Sequence, residues 1–392
     1  MRLTVFASRL LISGLIFCSS QGIAGSVPAE FFARSVVDQL VNTHYSNAEE
    51  TLNQLQKHYP DYPLTGFYRA ATLWAKAQDQ NNENHDDLQQ ASIDALKETI
   101  KTASNALEKE SNNRDWQMSL GLSHIFIARI YLQQSRWIKA YRHIRKGRDN
   151  LKALLNQHPD YADAWFTLGL YEYYTGSVPR HLKWLTRIID LSGDRKKGIE
   201  YIIRSIKEAP VASPEAARIL LDEIKPPSCG NLALAKQMQT QYPSNPQFVF
   251  IKQQLQVYCG YPKKALKQIL ALQLNHPNHF QKFENGFNEL TLAAHARLGQ
   301  TEKIQRFGER VDGRSKIPPA LLQFYLAQGL DVAKKRDQAV AIYTALQDDP
   351  QLKDWQQKRI EQYLKKPYIA ASARTNIDNG LRITLASDLY GK

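Results

Sequence analysis

Apolar residues in this chain recur with the 3.6-residue period of a helix in nearly every segment, and helix breakers interrupt them at short intervals. Phe31, Val36, Val37 and Leu40 fall on one face. Leu52 and Leu55 repeat the spacing, as do Ile125, Ala128, Tyr131 and Leu132. The interruptions are Pro60-Asp61, Pro159-Asp160, Pro210, Pro226-Pro227, Pro243, Pro277, Pro318-Pro319 and Pro350. Proline has no backbone N–H and pushes the residue before it out of the helical region, so each marks the close of a helix. Alternating strand patterns are scarce. The pattern predicts an all-α chain of many helices, mostly of roughly 11–20 residues, joined by short turns. One longer polar helix is expected over 84–111, with Leu88, Ile93, Leu96, Ile100 and Ala103 on its buried stripe. The pattern fades over 367–392, where residues 381–385 read as an extended piece.

The chain has 392 residues, more than one compact core usually serves. With 43% hydrophobic and 10% aromatic residues it is not disordered, and three cysteines cannot staple a mini-domain. Residues 1–24 read as a secretory signal. Arg2 and Arg9 precede the apolar run LLISGLIF at 10–17, and Gly22-Ile23-Ala24 offers small residues for cleavage. That run is shorter than the roughly 20 residues of a membrane span, and no later stretch is long enough to be one. Phe17 before Cys18 does not suit a lipoprotein signal. Removing the leader lowers the net charge from +13 to +11, because Arg2 and Arg9 are its only charges. The expectation is an exported chain, periplasmic by the style of its signal.

The helices also share internal spacing. Trp165-x-x-Leu168-Gly169 with Gly176 and Leu185 compares with Ala128-x-x-Tyr131, Ser135, Trp137, Ala140, Ile144 and Gly147. It compares again with Gly260, Ala265, Ile269, Leu272 and Pro277, and with Leu292, His295, Gly299 and Ile304. Ala327, Leu330, Arg336, Ala339, Tyr343 and Leu346 form another copy, and Ala48, Leu52, Leu55 and Pro60 match its second half. The pattern resembles the tetratricopeptide repeat, a 34-residue helix–turn–helix unit with small residues where the helices cross. The resemblance spans about residues 30–350, is degenerate in each copy, and fails over 80–112 and over an inserted segment near 176–198. The stretch through that insertion is similar to a group of exported bacterial tetratricopeptide proteins without an assigned activity. The implied fold is an α-solenoid, with 25–112 as N-terminal helical repeats, 113–350 as the main array and 351–392 as a capping helix and tail. Stacked pairs then bury a continuous core that one pair cannot, and leave a concave groove.

On the repeat template Phe166, Leu170, Tyr173 and Tyr174 face that groove, with Arg180 and Trp184 in the insertion beside them. Equivalent positions elsewhere are Arg129, Phe250, Gln254, Tyr258, Arg297 and Gln328. In such repeats the groove takes an extended segment or helix of a partner protein, and aromatic anchors suit a binding hot spot. The alternative is that the aromatic cluster packs beneath the insertion. The Lys/Asn set that clamps a C-terminal carboxylate in some relatives is not present at these positions.

Cys229 opens a helix over about 229–241 and Cys259 closes the next over about 246–259. Both lie 14 to 16 residues from the turn at Pro243-Ser244, so antiparallel packing brings them to one end of the hairpin. In an oxidising compartment the two pair as a disulfide; otherwise they are buried thiols. Basic clusters occur at Arg142, His143, Arg145, Lys146 and Arg148, at Arg180, His181, Lys183 and Arg187, at Arg195, Lys196 and Lys197, and at Lys263, Lys264 and Lys267. They read as solvated faces or, together, as an affinity for an anionic envelope surface; export argues against nucleic acid. His58, His158 and His276 precede closing turns, where a cationic side chain suits the helix dipole. His-Glu-x-x-His, Gly-x-Ser-x-Gly, P-loop and Cys-x-x-Cys signatures are absent, and nothing implies a cofactor or a metal. The reading is a scaffold that binds a protein or peptide. The alternatives are an envelope assembly component, or an enzyme with a site near Asp190, Asp194 and Glu200, where Asp194 also suits a helix cap.

Overall fold

A computed structural model describes residues 27–78, 85–177, 193–224, 229–311 and 317–370. The leader, most of the insertion with Arg180, Trp184 and Asp190, Pro226-Pro227 and the extended piece at 381–385 lie outside them. The described residues form eighteen α-helices and no strand. The first nine are α1 (Ala29–Val41), α2 (Tyr45–His58), α3 (Thr65–Ala77), α4 (His85–Lys109), α5 (Arg114–Gln133), α6 (Trp137–Gln157), α7 (Ala162–Gly176), α8 (Arg195–Glu208) and α9 (Ser213–Asp222). The second nine are α10 (Leu232–Gln241), α11 (Pro246–Tyr258), α12 (Pro262–Asn275), α13 (Pro277–Lys282), α14 (Glu284–Arg297), α15 (Thr301–Val311), α16 (Pro319–Val332), α17 (Arg336–Ala345) and α18 (Asp354–Lys365). Consecutive helices pack as pairs. Helices α1, α3, α5 and α7 also touch one another in turn and form one layer; in the second half α11, α14 and α16 touch in turn in the same way.

Two turn geometries recur. Between α1 and α2, α5 and α6, α11 and α12, α14 and α15, and α16 and α17, one residue takes a left-handed conformation. These are Thr43, Ser135, Gly260, Gly299 and Lys334, with φ between 56° and 89°. In every case the next residue's N–H reaches back five positions to a carbonyl. The five bonds run from His44 to Gln39, Arg136 to Tyr131, Tyr261 to Gln256, Gln300 to His295 and Lys335 to Leu330, all at 2.8–3.0 Å. This is the Schellman closure, and it reverses the chain within two residues. The second turn ends α2, α6, α10 and α12 at Tyr59, His158, Tyr242 and His276, all with φ near −130° and ψ near 65°. A proline follows each, and its ring excludes the helical conformation from the residue before it.

Small residues sit where helices cross, as their spacing implies. Ala128, Ala140, Ala265 and Ala339 are buried. The tightest crossing is α7 on α8: a Cβ on Gly198 would lie 2.4 Å from the Tyr173 amide nitrogen, and one on Gly169 3.0 Å from the Gly198 carbonyl oxygen. The expected polar helix is α4, with Ile93, Leu96 and Ala103 buried. Phe31 departs from expectation and is 49% exposed, because Ala29, Ala33 and Val36 turn the opposite side of α1 inward.

Helix α1 makes the longest-range contacts. Arg34 donates to the Pro210 carbonyl at 2.8 Å, and the Tyr242 hydroxyl donates to Asp38 at 2.5 Å. Asn245 donates to the Val41 carbonyl at 2.7 Å, and the Ser244 N–H donates to Asn42 at 3.0 Å. The first helix is therefore clasped to α9 and to the α10–α11 turn, and Val41 joins a core built from α7 to α11. The sulfurs of Cys229 and Cys259 are bonded, with their Cα atoms 5.6 Å apart, and staple α10 to α11.

Candidate functional site

Helices α3, α5, α7 and the end of α9 bring one side chain each to a common region. Trp74 comes from α3, Arg129 from α5, Tyr174 from α7, and Glu223 follows α9. The Arg129 guanidinium lies over the Trp74 ring, 4.7 Å from its centre, and reaches Glu223 at 3.7 Å. The Tyr174 hydroxyl donates to the second Glu223 oxygen. Burial raises the Tyr174 hydroxyl pKa, and its bond to Glu223 raises it further, so the phenol stays protonated and remains a donor.

A second layer of charge fixes Glu223. Arg218 binds Glu215 at 2.7 and 2.8 Å through two nitrogens, and lies within 3.7 Å of Asp222 and 3.5 Å of Glu223. Burial pushes the Glu215 carboxyl up, but the Arg218 guanidinium outweighs it and Glu215 sits below its usual range. The helical spacing 215, 218, 222 places these groups on one face of α9. The assembly is an aromatic floor with an ordered set of donors and acceptors of both signs. Tyr174 remains 47% exposed at its rim.

The residues expected in the groove divide into groups. Tyr174 and Arg129 meet, as described. Phe166 and Tyr173 are buried at 9% and 6% exposure in the core that also holds Val41, Ile202 and Leu220. They do not line an open surface, because α7 is covered on nearly all sides by α8 and by the core built around α9 to α11. Leu170 is half-buried against the same core. Arg180 and Trp184 lie outside the described residues.

Phe250, Gln254 and Tyr258 are half-buried along one stripe of α11. Phe250 stacks on Phe283 at 5.3 Å, and the Arg297 guanidinium lies 5.0 Å from the Tyr258 ring centre. The Arg297–Tyr258 pair repeats the Arg129–Trp74 stack in the second half, again between helices that touch in turn within a layer. Gln328 is buried.

Sequence reasoning missed Trp74, Glu223 and Arg218. Trp74 matches Arg129 in its layer, but its helix stands just before the stretch 80–112 where the repeat register fails. Among the basic clusters, Arg148 turns inward, 7% exposed, with its guanidinium 5.8 Å from the Tyr171 ring centre. It is not part of a solvated face. Asp194 caps α8, accepting the N–H groups of Lys196 and Lys197 at 2.8 and 3.2 Å. Among the described residues no three His, Cys, Asp or Glu side chains group as a metal site, and no helix is long and apolar enough to cross a membrane. No protein-family model matches the chain, and none of the curated proteins matches it.

Proposed function

We propose that this chain is an exported scaffold of the tetratricopeptide type that binds an extended segment or helix of another protein on its inner layer. Five copies of one helix-pair turn and four copies of one closing turn support the repeat reading. The Cys229–Cys259 bond suits an oxidising compartment such as the periplasm.

The observation that carries the binding reading is the convergence of Trp74, Arg129 and Tyr174 from three helices of one layer with Glu223 at the end of α9. Such a surface offers a ring for an apolar side chain and paired donors and acceptors for a peptide backbone. It is ordered before any partner arrives, which lowers the entropic cost of association.

Photo-crosslinking in producing cells tests this. A photoreactive aromatic residue at position 174 is expected to trap one discrete protein, and Glu223→Ala is expected to reduce that adduct. An identical adduct from a probe at position 363, on α18, or no adduct at all, overturns the reading.

A further inference from the structure

On the side of α5 away from Arg129, helices α4, α5 and α6 border an open cavity of about 550 Å³. Lys97, Lys139, Arg142, Arg145 and Lys146 line it, together with the ring of Tyr131. Asp149 is the only carboxylate on its wall, and Arg148 already holds it at 2.8 Å. Lys97 is bound to Asp94 at 2.9 Å. Lys139, Arg142 and Lys146 make no ion pair among the described residues. A concave surface with one sign of charge concentrates the field and draws in a counter-ion. The volume falls in the range of a small-molecule or headgroup site, roughly 300–1,000 Å³.

A separate observation lies at the rim. Trp137 and Ile138 open α6 and are 65% and 71% exposed, and Leu132 at the end of α5 is 38% exposed. Ile138 lies one helical turn before Arg142, and Trp137 one turn before Tyr141, so the apolar pair borders the cationic wall. An exposed indole and an aliphatic side chain beside a cation cluster match the layering of a membrane surface. Rings settle at headgroup depth, and Lys and Arg meet the phosphates. Cations alone would accept any polyanion, and an apolar pair alone would ignore charge. Side by side they select an anionic bilayer.

We propose that this face is a peripheral lipid site: the α4–α6 cavity takes the phosphate headgroup of an anionic phospholipid, and Trp137 and Ile138 enter the interface beside it. The site shares no side chain with the Trp74, Arg129, Tyr174 and Glu223 cluster and goes beyond partner binding.

The test uses the full chain with vesicles of phosphatidylcholine, alone or mixed with phosphatidylglycerol. Binding is expected only to the mixed vesicles and weakens as salt rises, because exposed charges are screened. Arg142→Ala with Lys146→Ala is expected to weaken it by roughly tenfold or more, given the contribution of each cation near a charged surface. Trp137→Ser with Ile138→Ser is expected to weaken it comparably. All four side chains are exposed, so unchanged circular dichroism is expected of both variants. Lipids brominated in their acyl chains should quench tryptophan fluorescence, and Trp137→Phe should remove that quenching. Equal binding to both vesicle types, binding to neither, or binding undiminished in both variants overturns the proposal. So does binding of inorganic pyrophosphate without any vesicle binding, which would make the site one for a free phosphate compound. Tyr174→Ala is expected to leave vesicle binding unchanged, so failure here is separable from failure at the inner layer.

Discussion

His124 and His143 face each other across α5 and α6 with their Nδ1 atoms 2.9 Å apart. One imidazole donates and the other accepts, so the bond is lost when both rings are protonated. Burial pushes His124 down to about 4, and the neighbouring His143 and Lys146 add to the effect. His143 is lowered too, first by burial and then by Lys146 and Lys97. Histidine in the unfolded chain titrates near 6.5, so between about pH 4 and 6.5 the unfolded chain holds more protons. Stability therefore falls as pH drops through that window. For His124 alone the loss reaches about 3 kcal/mol by pH 4. Urea unfolding between pH 7 and pH 4.5 is expected to show this fall, and His124→Gln to flatten it; an unaltered slope would refute the assignment. The pair was not visible in the sequence, because residues 19 apart meet only once the turn at Ser135 is placed. Arg148 was misread for a related reason. Five basic residues crowd positions 142–148 of α6, and what drew this one inward is Tyr171, on another helix.

At the scale of elements the sequence was most legible. Each proline-closed helix end appears where the breakers stand, because the steric cause is local to one dipeptide. Gly260 and Gly299 mark two of the Schellman turns. Thr43, Ser135 and Lys334 hide the other three, since a non-glycine residue there costs about 1 kcal/mol and advertises nothing. The disulfide was readable by counting outward from Pro243, a calculation that needs only two antiparallel helices. Its loop closure is worth about 3–4 kcal/mol on the chain-entropy model. Cys229→Ser with Cys259→Ser is expected to lower the free energy of urea unfolding by that amount. A change under about 1 kcal/mol would mean that the hairpin is held by its core instead.

For the whole molecule, a stack of repeats joins each unit only to its neighbours. The clasp of α1 onto α9 and the α10–α11 turn breaks that rule. Helical periodicity shows which side of α1 is apolar, but not which distant helix covers it, so neither Val41 nor Asp38 betrayed its partner. Phe166 and Tyr173, legible as aromatic anchors, lie in the same core that Val41 joins. Tyr242→Phe removes one hydroxyl from the clasp and keeps the ring. It is expected to cost about 1 kcal/mol and to speed hydrogen exchange of the α1 amides ahead of the other helices. Uniform acceleration across all helices would show that α1 has no local opening of its own.

The clasp also sets an order of assembly. Asp38 emerges from the ribosome some 200 residues before Tyr242 does. At roughly 5–20 residues per second its partner follows about 10–40 s later. Throughout that interval Val41 lacks the α9–α11 part of the core that it joins in the folded chain. Closure is then a contact of very high sequence separation, of the kind that slows folding. The first helix to be made is thus among the last to be fixed.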